Sequence, residues 1–181
     1  STHKCEHLFP PVNAAARAIF ERIPSNHAAG IFRCLNAETK QSLIDSVRPE
    51  RKRELQELLS YPEESAGRLM KTDSFAFHKD LKVKEVIQRL RALAQKQAAP
   101  TYSYIVGDEN KLVGILNMRD LLLADPDAAV ENVMRKDVHA VSAFMDREEL
   151  LHVAAVRHFL AIPVIDAQGR LIGTVKSEDL L

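Results

Sequence analysis

The sequence predicts an α+β chain: an arm of short helices stacked as a superhelix, followed by two copies of one β-α-β-β-α unit related by a pseudo-two-fold axis. Three observations carry that reading. Helical apolar spacing, interrupted every 12 residues, runs through residues 12–70; the pattern then switches to short alternating runs; and a stretch of 22 residues recurs later in the chain without a gap.

In the arm the interruptions fall at Ile23-Pro24, Leu35-Asn36, Val47-Arg48-Pro49 and residues 59–62. Each step pairs a polar or proline-containing start with apolar positions at helical spacing: Ala28, Ile31 and Phe32, then Leu43 and Ile44, then Leu55, Leu58 and Leu59. Helices this short bury their faces only by stacking on one another. Ser25 and Asn36 are read as N-caps, and Pro49 suits a first helical turn.

Beyond Met70 strands are expected at 74–77, 102–106 and 111–116, with a helix over 83–97 between the first two. The order then repeats: a strand at 138–141, a helix over 147–159, strands at 162–165 and 170–175, and a last helix beginning near Ser177. Residues 101–122 align with 160–181, and Leu112/Leu171, Gly114/Gly173, Asp120/Asp179, Leu121/Leu180 and Leu122/Leu181 are identical. Gly107-Asp108-Glu109-Asn110 and Asp166-Ala167-Gln168-Gly169 carry the chemistry of hairpin turns. The expected division is 1–11 tail, 12–69 helical arm, 70–126 first unit and 127–181 second unit. Two like units would pair by their apolar faces, and the groove along their axis is the expected ligand site.

Composition narrows the function. The 181 residues carry 25 Lys and Arg against 25 Asp and Glu, and the balance holds regionally, with 10 basic and 9 acidic groups up to residue 70. A nucleic-acid partner is therefore not expected. No apolar run reaches the roughly 18 to 20 residues of a membrane helix. Cys5 and Cys34, in a chain without a glycosylation sequon, suit a reducing cytoplasm. Gly-rich phosphate loops, a Gly-x-Ser-x-Gly elbow and a His-Glu-x-x-His pair are all missing. Glu148-Glu149 is no catalytic pair, because helix neighbours point about 100° apart, so the chain is not expected to be an enzyme.

The repeated unit, through Ile162-Pro163-Val164-Ile165-Asp166, Gly169-Arg170-Leu171-Ile172-Gly173-Thr174-Val175 and Asp179, resembles a CBS domain, so the two units resemble a tandem CBS-domain pair. With Tyr61-Pro62-Glu63-Glu64-Ser65-Ala66-Gly67-Arg68-Leu69-Met70 and Met118-Arg119-Asp120-Leu121-Leu122-Leu123-Ala124-Asp125-Pro126 included, the chain is similar to the cytosolic region of MgtE-type magnesium transporters. In that family a helical N domain precedes the CBS pair and a long helix leads on to a membrane domain. The cytosolic part dimerises and closes the pore when magnesium is plentiful. The arm here is shorter than the family's, and the sequence stops at Leu181, before the connecting helix.

The resemblance implies two kinds of site. For an adenine nucleotide such as ATP, Asp120 would hold ribose hydroxyls, Tyr102 would stack on the base opposite Ala155 and Phe159, and Arg119 would approach the phosphates. The family's Ser or Thr three residues before the aspartate is Asn117 here, and Lys176 in the second unit. From the residues alone, Asn117-x-x-Asp120 also has helix-cap spacing, and Tyr102 and Phe159 also suit a core. For magnesium, Asp146, Glu148, Glu178 and Asp179 match acidic family positions, while His158 stands where the family has an acid. Asp146 also has N-cap placement. His3, Cys5 and His7, or an amino-terminal Ser1-Thr2-His3 copper or nickel site, are the remaining metal candidates, but a non-native Ser1 and a loose tail are expected. His27, His78, His139 and His152 lack ligand spacing.

Two functions follow from the resemblance. The first is a cytosolic regulatory module of an MgtE-like magnesium transporter, sensing cation and adenine nucleotide. It would be a homodimer through its CBS pair, partnered by a membrane transport domain if the chain continues past Leu181, at the cytoplasmic face of the inner membrane. The alternative is a free-standing CBS-pair nucleotide sensor acting on a partner protein, without transport.

Overall fold

The structure is a computed structural model and describes residues 14–73, 75–95, 100, 102–157 and 159–180. The proposed tail metal ligands His3, Cys5 and His7, and His158, lie outside these residues. The chain forms two compact units. One comprises residues up to 72 with 143–161 and 175–181, the other 73–142 with 162–174. The second repeat is thus shared, its strands mainly in one unit and its helix and last turn in the other.

In the first unit the arm is four helices, α1 (Ala14–Arg22), α2 (Ser25–Phe32), α3 (Ala37–Ser46) and α4 (Pro49–Ser60), closed by a single turn, α5 (Ala66–Leu69). The boundaries have local causes. Asn36 caps α3 by accepting from the Thr39 backbone N–H at 2.8 Å, and Pro49 opens α4, where its missing donor costs nothing. Ser25 is not the cap of α2. Pro24 takes the cap position with extended backbone (φ −54°, ψ 144°), and Ser25 is already helical. Its hydroxyl is instead drawn to Glu54, which also receives the hydroxyl of Thr72 and, at 2.7 Å, the guanidinium of Arg51. Burial pushes the Glu54 carboxyl up, but these hydrogen bonds and the Arg51 charge outweigh it and hold the group below its ordinary value. Phe20, Ala28, Phe32, Leu43, Ile44 and Leu55 form the arm's core, with the rings of Phe20 and Phe32 5.3 Å apart. Phe20, Phe32 and Leu55, drawn from three helices into one buried cluster, are the stacking that short helices require.

The same unit includes α8 (Arg147–Arg157) of the second repeat. Backbone bonds fasten the end of the arm to the residues before α8: Ala66 N–H to Met145 O at 2.8 Å, Gly67 N–H to Ala143 O at 2.7 Å, and Arg147 N–H to Glu64 O at 2.8 Å. Gly67 is there because the Tyr61 ring lies where a Cβ would be, 2.5 Å from its nearest carbon. Tyr61 in turn meets Phe144 edge to face at 5.6 Å.

The second unit holds two three-stranded sheets, β1-β2-β3 and β4-β5-β6. The strands of the first repeat are β1 (Ala76–His78), β2 (Tyr102–Val106) and β3 (Leu112–Asn117), and those of the second are β4 (Val141–Ser142), β5 (Ala161–Ile165) and β6 (Leu171–Lys176). In each, the first strand runs parallel to the second. In the first repeat β2 and β3 then form an antiparallel hairpin. Helix α6 (Val83–Ala94) buries Val83, Val86 and Leu90 against Phe77, Ile105 and Leu116, and α7 (Met118–Leu123) adds Leu121 to that core. Residues 96–99, where the expected helix would continue, are outside the described residues. In the β2–β3 turn the left-handed positions fall on Glu109 (φ 55°) and Asn110 (φ 62°) and not on Gly107, whereas the β5–β6 turn places Gly169 there (φ 78°). The two sheets meet through Tyr104, Val106 and Leu171, and Leu112 N–H donates to Gly169 O at 3.0 Å. The last element is a 3-10 turn, Ser177–Leu180, in place of the expected helix.

Candidate functional site

Strand register brings the first repeat's candidates together. Tyr102 at the start of β2 is the Cα partner of Asn117 at the end of β3. Asn117 then caps α7, its Oδ1 accepting from the Asp120 N–H at 2.7 Å, which fixes the backbone from which the Asp120 carboxylate projects. Tyr102 remains 38% exposed, and next to it on the same face of β2 stands Tyr104, buried, with a hydroxyl that has no hydrogen-bond partner among the described residues. Burial, with a smaller contribution from the Tyr102 phenol, pushes Tyr104 up to about 12. Arg119 is exposed on α7.

A residue that the sequence did not single out completes this edge. Arg135 Nε donates to Asp120 Oδ2 at 3.1 Å, and the Arg135 backbone is bonded both ways to Ile115 of β3, each bond 2.9 Å. The arrangement sets a stacking surface, a carboxylate able to accept from two hydroxyls, and a cation side by side within one unit. Ala155 and Phe159 belong to the other unit. Ala155 is exposed on α8, and the Phe159 carbonyl accepts the Ser177 hydroxyl.

The four acids assigned to a cation are engaged separately. Asp146 caps α8, its Oδ1 accepting from the Glu149 N–H at 2.9 Å, which is the helix-start role its spacing allowed. Glu148 is exposed, and Glu178 pairs with Lys176 at 3.2 Å. Asp179 lies 3.4 Å from the ammonium of Lys71, yet among the described residues its buried Oδ2 accepts no hydrogen bond, so that pair is held by charge alone. Among the described residues no three His, Cys, Asp or Glu side chains converge as a metal ion would require. No helix among them is long and apolar enough to cross a membrane.

Comparison with known proteins agrees with this layout. Residues 12–64 match the MgtE intracellular N domain, and residues 66–127 and 130–181 each match the CBS domain. Both are regulatory modules without catalytic activity. The chain is 36% identical over 141 residues to the magnesium transporter MgtE of Thermus thermophilus and 30% identical over 138 residues to that of Bacillus subtilis, covering 78% and 76% of this chain. It spans only 31% of the length of either relative. Among solved structures, the cytosolic domain of the Mg2+ channel MgtE in complex with ATP superposes with a TM-score of 0.86 at 30% identity, over 99% of this chain and 75% of that one. The soluble part of a magnesium transporter superposes with a TM-score of 0.85 at 27% identity, over 91% of this chain and 64% of that one. A helical arm, two repeated sheets and these matches give one conclusion: the chain is an MgtE N domain followed by a CBS-domain pair, and it belongs to the family of the cytosolic region of MgtE-type magnesium transporters.

Proposed function

We propose that this chain is the regulatory module of an MgtE-like magnesium transporter, at the cytoplasmic face of the membrane, and that it binds an adenine nucleotide at the edge of its first CBS unit. The observation that carries the reading is the edge itself, where Tyr102, Asn117 and Asp120 are set by strand register and a helix cap. In this reading Tyr102 stacks on the base, Asp120 accepts from the ribose diol, and Asn117 and Arg119 serve the phosphate side. Ala155 and Phe159 stay in the proposal as residues of the second repeat, each to be tested by substitution. An MgtE cytosolic domain of the same fold has been solved in complex with ATP, which supports the ligand class.

The cation part of the proposal is narrower. Asp146, Glu148, Glu178 and Asp179 do not converge, and three of them are already capping a helix or ion-paired within the chain, so a magnesium site built on them needs further oxygen ligands from beyond these residues. Transport would be regulated by a population shift, with bound ligands favouring one of two arrangements of the whole protein. A homodimer through the CBS pair belongs to the same proposal, and its support is the exposure of Leu122 (71%) and Leu123 (76%) on α7.

Thermal unfolding of the 181-residue chain with ATP, AMP, magnesium or calcium tests the reading. Saturating nucleotide should raise Tm by roughly 5 °C, and Tyr102→Ala and Asp120→Ala should abolish the shift. An unchanged Tm with every nucleotide would sink the nucleotide site.

A further inference from the structure

We propose that Arg135 is a specificity residue of this edge: it pairs with Asp120 until a nucleotide binds and then turns to the 5′-phosphate, so that the site selects phosphorylated adenine nucleosides over adenosine. The inference rests on the nucleotide reading above and adds to it a residue fifteen positions beyond Asp120 in the chain.

Placement is the first argument. Arg135 is fixed at its backbone, since its N–H and C=O are both bonded to Ile115 at 2.9 Å, while its side chain is 65% exposed. A locked Cα with a solvated stem lets the guanidinium move at little cost and always return to the same place. The second argument is the bonding. Only Nε is used, on Asp120 Oδ2, and no described residue takes either terminal nitrogen. A guanidinium carries five N–H donors, and the forked pair left open here has the geometry that matches a phosphate.

Charge supplies the third argument. Asp120 alone would repel a phosphorylated ligand, and a nucleoside offers its diol to the same carboxylate. With Arg135 alongside, the pair presents an acceptor for the diol and a donor for the phosphate a few ångströms apart. Exposed ion pairs of this kind contribute little to stability, so the Arg135–Asp120 bond is easily exchanged for a bond to a ligand. A bond from a guanidinium to a phosphate is charge-assisted and stronger than one between neutral groups. Adenosine has to compete with Arg135 for Asp120 and gains nothing from the freed cation, whereas AMP recovers the loss at its phosphate.

Titration calorimetry on the full chain in metal-free buffer, with adenosine and with AMP, tests the assignment. The wild type should bind AMP roughly tenfold tighter than adenosine. Arg135→Gln should cut that preference at least roughly threefold without weakening adenosine, because the competitor for Asp120 has been removed. Asp120→Asn should weaken both ligands by similar factors and keep the preference. If Arg135→Gln keeps the AMP preference, or weakens adenosine as much as AMP, the assignment is wrong while the nucleotide site stands. A wild type that binds adenosine and AMP equally overturns the role of Arg135 alone. A wild type that binds neither overturns the nucleotide reading and this assignment with it.

Discussion

Asp120 and Asp179 hold the same position in two aligned repeats, three residues after a strand, and the fold uses them differently. The first, 25% exposed, stands beside a capping asparagine and an arginine that is itself 65% exposed. The second, 18% exposed, faces Lys71 at the end of the arm, and among the described residues its buried Oδ2 has that charge contact but no hydrogen bond. Their neighbours follow suit: Asn117 caps α7, whereas its counterpart Lys176 reaches Glu178 and caps nothing. A repeat therefore transmits a position without transmitting a role. The role comes from whatever element packs against that position, which is solvent and an edge segment for the first copy and the helical arm for the second.

That contrast can be broken first where the repeats are alike. Leu121 and Leu180 are matched and both are 1% exposed, so Leu121→Ala and Leu180→Ala should each cost about 2–5 kcal/mol in chemical denaturation. Similar losses confirm equivalent cores; a loss confined to one site would mean that the last turn is not anchored as α7 is. Where the repeats differ, Lys71→Met should leave the Asp179 carboxylate buried without a counter-charge and cost about 1–3 kcal/mol, while Asp120→Asn should change stability by less than about 0.5 kcal/mol. Equal effects from the two would erase the distinction drawn above.

The smallest effect is a pH dependence special to the second hairpin. Asp166 corresponds to Gly107 of the first turn and accepts from the Arg170 backbone and guanidinium and from the Gln168 N–H. Burial pushes its carboxyl up, but these bonds and the Arg170 charge outweigh it, and the group is held below its ordinary 3.8. A carboxyl depressed on folding contributes its stability above the unfolded value and loses it as pH falls through the folded one. Carbon-detected titration should therefore find Asp166 ionising below pH 3.8, with the second hairpin loosening as it protonates; a midpoint at or above that value would contradict the bonding described.

Much of this was legible in the sequence because the signals are local. Strand 102–106 has the expected bounds since alternation and flanking turn residues are short-range properties. The arm's helices begin and end close to the proline and asparagine positions for the same reason. Three features were hidden because their causes are distant in the chain. Ser25 reads as a cap, but Glu54, 29 residues away, claims its hydroxyl. Strand β4 is only two residues, not 138–141, since only Val141 and Ser142 find partners on β5. Arg135 has no local mark at all: its place beside Asp120 follows from a backbone bridge to Ile115 that no spacing rule announces. The mutual proximity of Tyr102, Asn117 and Asp120 was foreseeable through family resemblance, and its geometry through the hairpin register.

The bonds that fasten Glu64, Ala66 and Gly67 to residues 143–147 also bear on how the chain is made. Glu64 and Arg147 are separated by 83 positions, so a ribosome finishes the helices of the arm well before it supplies the residues that close the arm's last turn. Until then α5 has no partners for these amides, and the nascent arm presents an unfinished end. Long-range closures of this kind slow folding and prolong the exposure of sticky surface. The arm is contiguous in sequence, but it completes its fold in step with the last repeat.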